Sequence, residues 1–148
     1  MPFSTTLRRH PRDWLIGIAL VVGGIIHLLP GVGLLWPARL TTLYGISGLD
    51  ADLLVLLQHR ALLLALLGVV LLIAVARRSW QRPALITAVL STVVFVLLAF
   101  AYPVSPEIRR VAMIDLVMLP LLLVGLLLTV RRVAPPAAVP TAASADVG

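Results

Sequence analysis

Apolar residues in this chain do not alternate with polar ones; they gather in four nearly unbroken runs, Trp14 to Leu35, Leu53 to Ala76, Pro83 to Tyr102 and Val111 to Val130. Each run is 20 to 24 residues long, against the ~20 residues a helix needs to cross a ~30 Å hydrocarbon layer at ~1.5 Å per residue. Lipid offers no hydrogen bonds to a bare backbone, so each run is predicted to be an α-helix.

Polar chemistry is confined to the joints between runs. "WPARLTTLYGISGLDAD", "RRSWQR" and "PVSPEIRR" separate them. Asp50 or Asp52 is placed to cap the second helix, and Ser105-Pro106-Glu107 combines a capping hydroxyl, a proline for the first helical position and an acid for the first turn. Trp14, Trp36, Trp80 and Tyr102 fall at four different run ends, where amphipathic rings prefer the headgroup layer. Residues 133–148, rich in Pro and Ala and without aromatics, read as a disordered tail, and residues 1–13 as a short N-terminal segment.

Composition agrees with this pattern. Apolar residues make up 61% and charged residues 12% of the 148, and the mean hydropathy is +1.10; soluble domains carry about twice that share of charge. The expected architecture is an all-α, polytopic four-helix bundle, integral to a membrane. All basic side chains are arginines, and they flank the runs instead of forming one basic face, so lipid headgroups rather than nucleic acid are the expected acidic partner. Eight of these arginines lie on the side of the termini and the Arg77–Arg82 connection, and three (Arg39, Arg109, Arg110) on the other. The positive-inside rule then places both termini in the cytoplasm. The first run exceeds the usual ~7 to 15 apolar residues of a signal peptide and no A-x-A site follows it, so it is expected to be retained as a span. There is no cysteine, which removes thiol chemistry.

Small residues at four-residue spacing, Ala19/Gly23, Ala61/Ala65 and Thr87/Ser91, offer faces for close helix contact. Against this background five polar residues inside the runs stand out: His27, Gln58, His59, Arg60 and Asp115. Counted from the run ends, His27 lies ~12 Å, Arg60 ~10 Å and Asp115 ~6 Å from the outer face, so three helices bring polar groups to the outer half. Neither Arg60 nor Asp115 has a partner three or four residues away on its own helix. A charge near mid-span costs about 2.5–3.5 kcal/mol on insertion scales, so an Arg60 to Asp115 contact between helices is predicted. Gln58, His59 and Arg60 spread over ~200° of helix circumference, with His59 opposite the Ala61, Ala65 and Gly68 side. Glycines before His27 and Pro30-Gly31 after it allow a kink or early helix end beside the imidazole. No metal site is expected, because neither an i, i+4 histidine pair nor an HExxH spacing is present. P-loop, GxGxxG and GxSxG motifs are also absent, and the joints are too short for a soluble catalytic domain.

"LIGIALVVGGIIHLLPG", with a histidine closing a glycine-containing first span, resembles the DoxX-like group of small four-helix bacterial membrane proteins. "LYGI", "LLVLLQHRALLLALLG" and "RRVAMIDLVML" are similar to a set of four-span bacterial proteins of unassigned function, some labelled phosphopantetheine adenylyltransferase. The resemblance covers about residues 14 to 130. It implies a membrane four-helix fold, and through the DoxX-like relatives a link to membrane oxidoreductase complexes. The soluble adenylyltransferases' T/H-x-G-H motif has no counterpart in "HLLP" or "HRAL", so that activity is not expected. The sequence is thus read as a non-enzymatic or accessory inner-membrane protein. Its polar cluster of His27, Gln58, His59, Arg60 and Asp115 is structural or binds a small amphipathic ligand. An oxidoreductase component holding a quinone-like headgroup is the alternative. A homo-oligomer or a membrane partner subunit is compatible with either.

Overall fold

A computed structural model of the chain describes residues 11–45 and 50–131; the expected tail and most of the expected N-terminal segment lie outside the described residues. The described residues are helical, in the order α1 (Pro11–Leu28), a 3-10 turn (Leu29–Gly31), α2 (Val32–Leu35), α3 (Pro37–Tyr44), α4 (Ala51–Ala76), α5 (Arg78–Ala101) and α6 (Pro106–Val130). Among the described residues four helical segments are long and apolar enough to cross a membrane: Pro11–Leu35, Ala51–Ala76, Arg78–Ala101 and Pro106–Val130.

These helices outrun the apolar stretches that forecast them, and the caps explain why. Asp50 accepts a hydrogen bond from the Leu53 backbone N–H at 2.7 Å, so α4 starts at Ala51. Ser105 Oγ accepts from the Ile108 N–H at 3.3 Å with Pro106 in the first turn, which starts α6 five residues before the apolar run. The "RRSWQR" joint also becomes helix, leaving Arg77 as the sole non-helical residue between α4 and α5. Once a helix is nucleated, each further residue adds a backbone hydrogen bond, so polar residues next to an apolar run are readily drawn in. Arg78 then pairs with Asp13 of α1 at 3.3 Å, tying the two helices at this end.

α1 packs against α4 and α6, and α5 against the same two, so the long helices form a four-membered bundle with α1 diagonal to α5. Ile16, Leu20, Leu71, Leu85 and Leu122 are its fully buried large side chains. Backbones approach most closely between α1 and α4: a Cβ on Gly68 would stand 2.7 Å from the Gly24 carbonyl oxygen. α1 meets α6 through Ala19, where a Cβ on Gly125 would stand 2.8 Å from the alanine methyl. The Ala19/Gly23 and Ala61/Ala65 pairs therefore lie at contacts, but Thr87/Ser91 does not. Thr87 is exposed and donates its hydroxyl to the Pro83 carbonyl at 3.0 Å, within its own helix.

Candidate functional site

The site forms at the end of the bundle that α3 covers. Trp36 breaks the helix after α2, and α3 then runs against α2, α4 and α6. Tyr44 at its end is buried with Ala61, over Leu34, Leu54, Leu57 and Ile108. Ser105 holds this arrangement while capping α6, because its hydroxyl donates to the Tyr44 carbonyl at 3.0 Å. The chain turns away at Gly45 with φ +63°, where a Cβ would collide with the Glu107 carboxylate, so glycine is required twice over.

Beneath Tyr44 the four long helices each supply a polar side chain. His27 is buried near the end of α1, and its Nδ1 donates to the Gly23 carbonyl at 2.8 Å. That bond makes Nδ1 the protonated nitrogen of the neutral imidazole and leaves Nε2 as its acceptor. Asp115 occupies the inward stripe of α6 between the buried Ala112 and Met118, and is half-buried. It lies within electrostatic reach of His27 first and Arg60 second. Arg60 of α4 is half-buried with its guanidinium 4.5 Å from the centre of the Phe95 ring on α5 and 5.5 Å from that of Tyr44.

This corrects the expected ion pair. Among the described residues the ion pair within 4.0 Å is Arg78 with Asp13, and Arg60 satisfies its charge on aromatic faces. The guanidinium carries five N–H donors, and none has a hydrogen-bond acceptor among the described residues. The depths change too. Measured from the real helix ends, Arg60 and Asp115 each lie nine residues in, or about 13 Å, and His27 about 12 Å from Leu35. Asp115 is deeper than its apolar run implied because α6 begins earlier, and the three groups share one layer.

Thr92 of α5 completes that layer, nine residues or about 13 Å from the helix end at Ala101. Its side chain is 2% exposed and its hydroxyl has no hydrogen-bond partner among the described residues. It precedes Phe95 by three residues, so it lies on the same face of α5, one turn beneath the ring that Arg60 covers. A buried hydroxyl left without a partner costs about 1–3 kcal/mol, and mid-helix threonines usually avoid this by bonding back to their own helix.

The structure thus brings together His27, Arg60 and Asp115 and separates the other two expected residues. Gln58 is half-buried on the Leu54 and Ala61 face, turned away from Arg60. His59 is exposed on the outer surface of α4. Sequence reasoning missed Tyr44, Phe95 and Thr92. Phe95 carried a faint signal as the aromatic deepest within its run; Thr92 carried none that set it apart from Thr87. Among the described residues no three His, Asp or Glu side chains come together as a metal site. A separate open groove of about 330 Å³ lies along the outside of α1 from Asp13 to Val22, toward the opposite end.

In one layer the bundle offers guanidinium donors from Arg60 beside the Phe95 ring, a carboxylate from Asp115, an imidazole nitrogen from His27 and the Thr92 hydroxyl. Comparison with family models, curated proteins and solved structures gives no match, so the reading of this site rests on its chemistry.

Proposed function

We propose that the protein is a multi-pass inner-membrane protein with both termini in the cytoplasm, which holds the polar head of a small amphipathic ligand among Arg60, Thr92, Asp115 and His27. The observation that carries this reading is the pair of unsatisfied donors on one face of the bundle interior. Among the described residues Arg60 makes ring contacts but no hydrogen bond, and the buried Thr92 hydroxyl is without a partner. A structural cluster would close these donors onto Asp115. An incoming head with an acceptor atom would close them instead.

The charge balance narrows the head. Arg60 and Asp115 carry opposite formal charges in one layer, so the head that leaves the buried site neutral is itself uncharged or zwitterionic. Its apolar part would extend between the helices into the bilayer. A second reading, an oxidoreductase component holding a quinone-like head, is favoured by His27 beside Asp115. With Nδ1 committed to Gly23, Nε2 of His27 can pass a proton to or from a ring oxygen, and electrons would come from a membrane partner subunit.

Purification in lipid nanodiscs followed by solvent extraction and mass spectrometry tests both. The expected result is one amphiphile enriched over bulk lipid in the wild type and depleted at least about tenfold in Arg60→Ala and Thr92→Val. A quinone as that species selects the second reading. An extract identical to bulk lipid in all three proteins overturns both.

A further inference from the structure

His59 is the feature that the proposed site leaves unused. It sits eight residues into α4, about 12 Å from the helix start, and points outward. Around it the outer face of α4 is aliphatic: Leu56 is 65% exposed, Leu63 and Leu66 each 52%, and Ile73 43%. Leu56, His59, Leu63, Leu66 and Ile73 follow steps of three and four residues, with one step of seven where Val70 between Leu66 and Ile73 packs against the bundle core. That spacing is the seam of a helix pair whose side chains interlock as knobs into holes. The seam ends at Arg77, beyond the last apolar turn.

Lipid tails would suit the leucines of this face but not the imidazole. A neutral histidine carries one donor and one acceptor, and hydrocarbon satisfies neither. Other copies of the chain inserted in the same membrane have the same orientation, so two α4 helices facing one another run parallel and residues of equal depth meet. His59 then meets His59, and the donor of one imidazole bonds the acceptor of the other. A single polar pair in an otherwise apolar seam also fixes its register.

We infer that the outer face of α4 is a homodimer interface, a parallel seam of Leu56, Leu63, Leu66 and Ile73 locked by a His59 to His59 hydrogen bond. The occupant is a second copy because an imidazole is complementary to itself and the membrane aligns equal depths. This interface is independent of the ligand site, since Arg60 points to α5 on the inward side.

The chain contains no cysteine, so single cysteines report the contact directly. Leu56→Cys and Leu63→Cys are expected to form disulfide dimers in native membranes, well above Leu97→Cys on α5 and Val117→Cys on α6, which are 63% and 76% exposed. Adding His59→Leu to Leu63→Cys, a change that the lipid-facing helix tolerates, should lower crosslinking roughly three- to tenfold. His59→Gln, which keeps a donor and an acceptor, should restore most of it. Equal crosslinking on all faces, or a yield at Leu63→Cys that His59→Leu leaves unchanged, overturns the inference.

Discussion

Arg60 shows how one side chain settles a conflict between solvent and function. An arginine at mid-span needs its charge met, and the flat guanidinium between Phe95 and Tyr44 meets it with ring electrons instead of a carboxylate. Lysine has the charge without the plane. Arg60→Lys is therefore expected to leave thermal unfolding in detergent within a few degrees of wild type while lowering retention of the bound amphiphile about tenfold. Equal retention would show that charge alone suffices. The identities of these residues were legible in the sequence, because Arg, His and Asp are conspicuous among leucines. Their directions were not. Nothing local told Arg60 to choose Phe95, 35 positions away, over Asp115, and Thr92 looked like any hydroxyl that bonds back to its helix.

At the scale of elements, the hydrophobic runs located the four long helices, since lipid-length apolar segments have few other solutions. Their ends were less legible, because caps and helix extension operate on polar residues that hydropathy ignores. α3 was missed altogether. Its "PARLTTLY" is too short and too polar to register as a span, and only contact with α4 and α6 gives it a place. The glycines of α1 and α4 test the packing more sharply than the leucines do. Gly68→Ala drives a methyl into the Gly24 carbonyl, backbone against backbone, whereas Gly17→Ala meets open space. We expect the first to destabilise the bundle by about 1–3 kcal/mol and the second to be near neutral, read as unfolding midpoints in detergent. Similar values for both would mean that the α1 and α4 backbones are farther apart than the structure has them.

For the whole molecule, the same end of the bundle carries α3, the Tyr102–Ser105 connection and the polar layer, while the arginine-rich joint, the start of α1 and the end of α6 belong to the other end. Arginine asymmetry makes an orientation forecast that fusions can check. A cytoplasm-active fluorescent reporter after residue 148 should be bright, and an export-dependent phosphatase inserted at Val104 should be active. The opposite pattern would invert the molecule, and the polar layer would then be approached from the cytoplasmic leaflet.

The turn at Arg77 bears on how such a molecule moves. With one residue joining α4 to α5, those two helix ends cannot part, while the exposed Asp13–Arg78 pair holds α1 beside them only lightly. A gap between Arg60 and Phe95 would therefore widen away from Arg77, toward the end that Tyr44 covers.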